Sequence, residues 1–345
     1  VKEAVVDGTG PGQREPDGPN IARVYDYLLG GSHNFPADRA AAEEFCARWP
    51  DGPATLRANR AFLGRAVRYL AGQAGMRQFL DVGSGIPTMG NVHEIAQDVT
   101  PGARIAYVDS AEVAVRHSRA ILTGNQDAIA IQADLRAPRE ILDHPAVNAL
   151  LDFSQPVALL LVAVLHFFPD EEDPASLVAV LRDALAPGSY LVISHGTTDA
   201  QPRHVADAMG HFDQTAAPFR PRGYQDVLRF FGGYDLVEPG LVHLSRWRPD
   251  TPEGAVQAEQ AAAYGGVGRK TLATFRLGES GRLRAAWTKL RMMVLPWMVR
   301  MDSGWNCRPS AGWCAWRRPI GIPPGPRAVM RMSGGRVSSS RISEW

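Results

Sequence analysis

Apolar residues recur at helical spacing in three blocks early in the chain and then fall into short runs of strand length. Ile21 to Leu29 (IARVYDYLL) predicts a short helix stopped by Gly30-Gly31, and a second helix is expected after Pro36. From Leu56 to Leu70 the positions Leu56, Phe62, Leu63, Ala66, Val67 and Leu70 make one apolar stripe, with Arg57, Arg60, Arg65 and Arg68 between them. Phe79-Leu80 predicts a strand that breaks at Asp81 to Thr88 (DVGSGIPT), and Val92, Ile95, Ala96 and Val99 place a helix over Met89 to Val99. A strand, a glycine turn and a helix in this order can hold a ligand. Gly83 and Gly85 lack the Cβ atoms that keep backbone at a distance, and the helix start is expected to offer unpaired N–H groups.

The alternation continues. Strands are predicted at Arg104 to Asp109, Ala128 to Gln132, Val157 to Val164 and Tyr190 to Ser194. Helices fall at Ala111 to Leu122, from Arg139, and at Ser176 to Leu185, the last with Asp173 as N-cap and Pro174 just inside. Val157 to Val164 is apolar throughout, as in a strand buried on both faces. Helical stretches follow around Val205 and over Tyr224 to Phe231. Tyr234 to Val237 and Leu241 to Ser245, parted by Glu238-Pro239-Gly240, predict a terminal hairpin. The fold class is therefore α/β, with a doubly wound, mostly parallel sheet that binds its ligands at the carboxyl ends of its strands.

Composition changes this picture at the two ends. The first 19 residues are polar and rich in Gly and Pro, without the apolar run of a secretory signal, and predict a disordered leader on a cytoplasmic protein. The longest apolar stretch is too short to span a bilayer, so no membrane role is expected. The three cysteines, Cys46, Cys307 and Cys314, lack metal-ligand spacing, and no metal is expected. The net charge of +1 hides an asymmetry: 13 of the 37 Lys and Arg, but only three of the 36 acids, lie beyond residue 270. A basic arm for nucleic acid or anionic membrane is one reading of this tail. The preferred one is translation after a frameshift in a GC-rich gene, which makes 271–345 disordered and irrelevant to activity; no nucleic-acid partner is expected.

The chemistry is carried by strand ends. A dinucleotide turn wants G-x-G-x-x-G, but Thr88 stands at the third glycine position and Pro87 precedes it, which disfavours NAD. Asp81, before the first glycine, can order the turn or meet the amino group of an amino-acid-like ligand, and S-adenosylmethionine has such a group. Asp109 can accept from both hydroxyls of a ribose, or cap the helix at Ala111. Asp134 can accept from an exocyclic adenine amine while Leu135 packs on the ring, or simply cap its loop. His166, after the fourth strand, can take a proton, orient substrate or fill structure beside Phe167 and Phe168. His195 is a weaker candidate of the same kind. Ser84 is not a nucleophile elbow, because Val82 and Ile86 stand where that motif needs glycines.

These residues, read with NIARVYDYLLGGSHNFPADR (Asn20 to Arg39), RANRAFLGRAVRYLA (Arg57 to Ala71), DVGSGIPTMGNVHEIAQ (Asp81 to Gln97), YVDS, QADLR, VAVLHFFPDEEDP, SHGTTD and YGGVGRK, carry a resemblance. The chain resembles the class I S-adenosylmethionine-dependent methyltransferases, and within them the bacterial family once catalogued as a domain of unknown function and since renamed S-adenosyl methyltransferase. The resemblance spans roughly residues 20 to 270. It implies a seven-stranded Rossmann-like sheet over 76–270 with S-adenosylmethionine above Gly83 and Gly85, held by Asp81, Ser84, Asp109, Ser110, Asp134 and Leu135. Departures are Pro87, where many members of the class have Gly, and Ser110, where the family often has Asn. The YDYLLGGSHNF block has no counterpart in a minimal methyltransferase, which makes 20–75 a helical cover and Tyr25, His33 and Asn34 candidates to touch cofactor or substrate. Arg39 and Asp38 are expected to pair at the surface.

The implied activity is methyl transfer from S-adenosylmethionine to an unidentified small-molecule acceptor. The cofactor supplies the activated methyl group, so the protein's main task is alignment, with a base only where the acceptor must lose a proton. A SAM-binding sensor without turnover and, further off, a nicotinamide-dependent oxidoreductase are the alternatives.

Overall fold

The computed structural model describes residues 18–87, 90–197, 199, 219–251 and 262–271, together with the backbone of 305–308, 313–316, 329–333 and 336–340. The chain divides into Val1–Leu272 and Ala273–Trp345.

The first unit is organised by a sheet whose strands lie side by side in the order Ala128–Gln132, Arg104–Asp109, Gln78–Val82, Ala158–Val162, Tyr190–Gly196, Ala263–Lys270 and Tyr234–Leu236. β1 (Gln78–Val82), β2 (Arg104–Asp109), β3 (Ala128–Gln132), β4 (Ala158–Val162) and β5 (Tyr190–Gly196) run parallel. Neighbouring residues of each central strand point to opposite faces, so both faces must be apolar, and they are. Phe79, Leu160 and Val192 join α3 (Gly52–Arg68), α4 (Val92–Val99) and α5 (Glu112–Ile121) in one core, whereas Leu80, Leu159, Leu161 and Leu191 pack against α6 (Pro138–Leu142), α7 (Pro145–Leu150) and α8 (Pro174–Ala184) in another. The predicted Asp173 cap is present: its carboxylate accepts from the Ser176 N–H at 3.2 Å, with Pro174 at the first helical position. Among the described residues no helix is long and apolar enough to cross a membrane.

The end of the sheet differs from the hairpin expected of Tyr234 to Ser245. β6 (Tyr234–Leu236) and β7 (Val242–His243) do not pair with each other; both lie antiparallel along β8 (Ala263–Lys270), β6 opposite Gly268 to Lys270 and β7 opposite Tyr264 and Gly265. β8 itself inserts antiparallel beside β5. A strand from nearly thirty residues downstream thus takes the partner that local spacing assigned to a hairpin. The helix expected around Val205 falls outside the described residues.

Three helices precede β1, as the periodicity predicts: α1 (Ile21–Leu28), α2 (Pro36–Arg48) and α3, the last running into a π turn at Tyr69–Gln73. Asn20 caps α1 through the Ala22 and Arg23 N–H groups. α1 and α2 close on a small core of Val24, Ala42, Phe45 and Trp49. Asp38 and Arg39 do not pair at the surface. Asp38 is fully buried, ion-paired to Arg23 at 2.6 Å and accepting from the Asn20 and Phe35 N–H groups, while Arg39 donates to Asn34. One carboxylate thereby ties both helix starts together.

In the second unit the described backbone is four strands, β9 (Trp305–Arg308), β10 (Trp313–Trp316), β11 (Val329–Ser333) and β12 (Arg336–Ser340), paired antiparallel in sequence order. The expectation of disorder over 271–345 otherwise falls mostly on residues outside those described, as does most of the leader.

Candidate functional site

Because β1 to β5 are parallel, their carboxyl ends share one edge, and the candidate residues gather there. Gly83 and Ser84 donate backbone N–H groups to the Val108 carbonyl at 2.8 and 3.2 Å, turning the chain off β1 beside β2. Gly83 has φ +76° and Gly85 φ +66°. The two glycines serve different ends. A Cβ on Gly83 would overlap the Val164 side chain, so that glycine makes room for protein, whereas Gly85 has open space where a Cβ would stand. Asp109 fixes the turn from β2: its Oδ2 accepts from the Gly85 N–H and its Oδ1 from the Ala111 N–H, both at 2.8 Å.

The helix after the turn starts at Val92, later than expected, and its N-terminus does not face the ligand space. Its first N–H groups are taken, that of Asn91 by Glu94 Oε2 at 2.9 Å and that of His93 by the Tyr107 hydroxyl at 2.8 Å. The helix start is thus met by its own Glu94 and by Tyr107 of β2.

Above the turn lies a cavity of about 290 Å³, lined by Asp81, Gly83, Ser84, Gly85, Asp109, Ser110, Asp134 and Leu135, the whole set expected to hold a cofactor. α1 of the cover reaches it through Ile21 and Tyr25, and α3 through Asn59 and Arg60. Asp81 is 6% exposed, and no described residue donates a hydrogen bond to its carboxylate. Burial pushes that carboxyl up to about 7, against the pull of Arg60 and with the push of Asp109. Burial also raises Asp109, opposed by its backbone hydrogen bonds. Asp134 is more open and takes the loop-capping role, accepting from the Arg136 N–H at 2.8 Å, with Leu135 buried beside it. Arg136 covers the Phe168 ring at 4.6 Å and pairs with Glu172 at 2.7 Å, forming the rim.

His166 sits elsewhere. It lies in a short 3₁₀ turn (Leu165–Phe167) and lines a second cavity of about 80 Å³ that shares Ile21, Tyr25, Asn59, Ala163 and Phe167 with the first. Its Nδ1 accepts the Gly196 N–H at 3.3 Å, which leaves the ring hydrogen on Nε2. Burial, helped by nearby His195 and Arg222, holds its pKa well below the ordinary value, so the ring is neutral. A neutral ring protonated at Nε2 and occupied at Nδ1 orients a ligand by donating; it is poorly set to accept a proton. His195 is satisfied on both nitrogens, donating Nδ1–H to the Gly196 carbonyl at 2.7 Å and accepting from Arg222 Nη1 at 3.1 Å.

His33 and Asn34, expected to touch cofactor or substrate, line neither cavity. They complete a turn around buried Asp26, whose Oδ2 accepts from the His33 N–H at 2.8 Å and from Asn34 Nδ2 at 3.1 Å. Gly31 is required there because a Cβ would overlap that carboxylate.

Four participants were not singled out by sequence. Arg60 passes for one more polar position on α3, yet it lines the cavity together with Asp81, draws the Asp81 carboxyl down, and donates to the Gly90 carbonyl at 3.1 Å. Asn59 carries a readable signal, a polar residue on the apolar stripe between Leu56 and Phe62. Its Oδ1 accepts from the Ser194 hydroxyl at 2.6 Å and its Nδ2 donates to the Tyr25 hydroxyl at 3.0 Å. Ala163, at φ +55°, is a non-glycine residue in the left-handed region at the junction of the two cavities. Arg222 is a buried clamp, donating to the Leu165 and Phe168 carbonyls at 3.1 and 2.8 Å and pairing with Asp170, which holds the loop after β4 against β5. Among the described residues no cluster of His, Cys, Asp or Glu is placed to hold a metal.

Comparison with known proteins gives the family and the fold. A Thermobifida fusca protein assigned as a methyltransferase is 41% identical over 74% of this chain and 96% of its own, with a TM-score of 0.71. A DUF574 family protein from Streptomyces avermitilis is 40% identical over 73% of this chain and 98% of its own, also with a TM-score of 0.71. No curated protein matches the chain. Residues 11–271 match the S-adenosyl methyltransferase family, and the chain belongs to that family.

Proposed function

We propose that the larger cavity binds S-adenosylmethionine and that the chain transfers its methyl group to a small-molecule acceptor held beneath the helical cover. The observation that carries this reading is the Asp81 carboxylate, buried without a hydrogen-bond donor among the described residues and facing a cavity that Arg60 also lines. A buried carboxylate in that state calls for a cationic partner. The α-ammonium of the cofactor's methionine end meets the need, with Arg60 beside it for the α-carboxylate.

The remaining residues fit the rest of the molecule. Asp109 accepts the Gly85 N–H on one oxygen and the Ala111 N–H on the other, and the carboxylate's remaining capacity suits the ribose hydroxyls. Asp134, whose Oδ2 also meets Arg136 Nη1 at 3.4 Å, would accept from an exocyclic amine, with Leu135 as the apolar floor for the ring; Ser84 and Ser110 line the same cavity. The bound cofactor supplies an electrophilic methyl group, so the chain's own work is to orient the acceptor and exclude water. His166 does the former as a neutral donor. The Arg222 clamp keeps the His166 loop in place.

The test is transfer of a labelled methyl group from S-adenosylmethionine to fractionated small-molecule pools. Label in a small-molecule fraction, lost in an Asp109→Ala variant, is the expected result. Cofactor binding without transfer to any fraction would make the protein a sensor.

A further inference from the structure

The second cavity has no task in holding the methyl donor, and its walls are specific. Val24, Leu28, Phe45 and Trp49 enclose it from the cover, and Phe167 and Phe219 from the sheet edge. No Asp, Glu, Lys or Arg is among the described residues that line it. Among the described residues a charged ligand would shed its hydration there without a partner of opposite charge. Both lining histidines are neutral, and the Arg222 guanidinium on the far side of His195 opposes a cation further. Walls built of aromatic side chains favour a flat ring.

The polar groups are oriented by a relay. The Ala163 N–H donates to Ser194 Oγ at 2.9 Å, the Ser194 hydroxyl hydrogen goes to Asn59 Oδ1, and Asn59 Nδ2 donates to the Tyr25 oxygen. Tyr25 therefore receives a hydrogen bond and has its own hydrogen uncommitted among the described residues, at a position that lines both cavities. With His166 Nε2–H and the Thr55 hydroxyl, which accepts from the Ala262 N–H, this sets a few donors in a mostly apolar space.

We propose that this cavity is the methyl-acceptor site and that its ligand is an uncharged aromatic or heteroaromatic small molecule whose hydrogen-bond-accepting atom sits on the Tyr25 hydroxyl, at the junction with the donor cavity. The assignment rests on the larger cavity being the donor site. Tyr25 then holds the ligand through one lone pair of that atom, and a second lone pair or a neighbouring atom would take the methyl group as its bond to the donor's sulfur breaks; the positive charge passes from sulfur to the acceptor, which sheds its own proton to water, and the ring of the ligand lies among the aromatic side chains of the cover.

The test uses the full chain, first titrated with S-adenosylhomocysteine and then, when loaded, with four probes of one shape: naphthalene, quinoline, 2-naphthoate and N-methylquinolinium. The two uncharged probes are expected to bind, quinoline more tightly because its ring nitrogen accepts from Tyr25, and the two ions at least about tenfold more weakly. Tyr25→Phe is expected to abolish the preference for quinoline over naphthalene, a ratio that general damage to the fold would not move. Leu28→Trp, which fills only the smaller cavity, is expected to weaken both uncharged probes at least about tenfold and to leave S-adenosylhomocysteine within about twofold. Binding of S-adenosylhomocysteine with no uncharged probe bound, with the ions bound as tightly as quinoline, or with Leu28→Trp indifferent would overturn the acceptor proposal alone. Failure of S-adenosylhomocysteine to bind would overturn the donor reading, and the acceptor assignment with it.

Discussion

Replacing Asp81 by Asn is expected to stabilise the free protein and to weaken its hold on S-adenosylhomocysteine, two effects of opposite sign from one atom pair. Burial lifts the carboxyl from 3.8 to about 7. At about 1.36 kcal/mol per pKa unit, the ionised group destabilises the folded state by roughly 4 kcal/mol above neutral pH, an upper bound because water in the cavity shields part of it. The sign follows from proton counting: between about pH 4 and 7 the folded chain holds a proton that the unfolded chain has lost, so stability falls as pH rises through that window. The amide removes the charge but keeps a desolvation demand of its own, leaving a net gain of about 2 kcal/mol at pH 8 and none below pH 4. Loss of the ion pair to the ligand ammonium, about 1.5–3 kcal/mol, weakens S-adenosylhomocysteine by roughly 10- to 100-fold at pH 8. Denaturant unfolding of the free variant at both pH values, with calorimetric titration of the ligand, reads both effects. A variant less stable than the parent at pH 8, or one binding S-adenosylhomocysteine with unchanged affinity, would refute the reasoning.

Other substitutions report on separate parts of the site. Asp109→Ala is expected to weaken S-adenosylhomocysteine by about 1–3 kcal/mol, since it strands both ribose hydroxyls and the Gly85 N–H; an unchanged dissociation constant would remove Asp109 from the site. Gly83→Ala is expected to destabilise the fold by at least about 2 kcal/mol in a denaturant titration, from a left-handed φ and overlap with Val164; Gly85→Ala, with open space at its Cβ, is expected to do less, and the reverse order would contradict the division of labour between them. A chain ended at Thr271 is expected to bind S-adenosylhomocysteine within about twofold of the full chain, since the family match ends there; a large loss would give residues 272–345 a role in the site.

What the sequence reveals and what it hides divides along the range of the interactions. The acids at the ends of β1, β2 and β3 were legible because each ends a short apolar run, and parallel strands bring successive ends to one edge. Asp173 with Pro174 was legible because a cap is decided within four residues. The terminal hairpin was misread because β8, far along the chain, competes for the same strand edges. Asp38 was misread for a similar reason: its partner, Arg23, is on another helix, whereas Arg39 is merely adjacent. His33 and Asn34 stood in a block that does build the cover, yet they serve the turn at Asp26, and of the three candidates there Tyr25 alone lines the cavities. Arg60 was hidden among four arginines on one helix, Arg57, Arg60, Arg65 and Arg68, of which the packing of α3 brings Arg60 to the cavity that Asp81 lines. His166 was placed correctly beyond β4, but the division of the space into two cavities, with His166 in the smaller, depends on how α1 packs and has no local signature.

The most direct measurement of the central claim is calorimetric titration of S-adenosylhomocysteine in buffers of different ionisation enthalpy. If the ligand ammonium displaces the proton that burial keeps on Asp81, binding releases close to one proton per site at about pH 6 and almost none at about pH 8. No binding at either pH, or binding with the same proton count at both, would contradict the account.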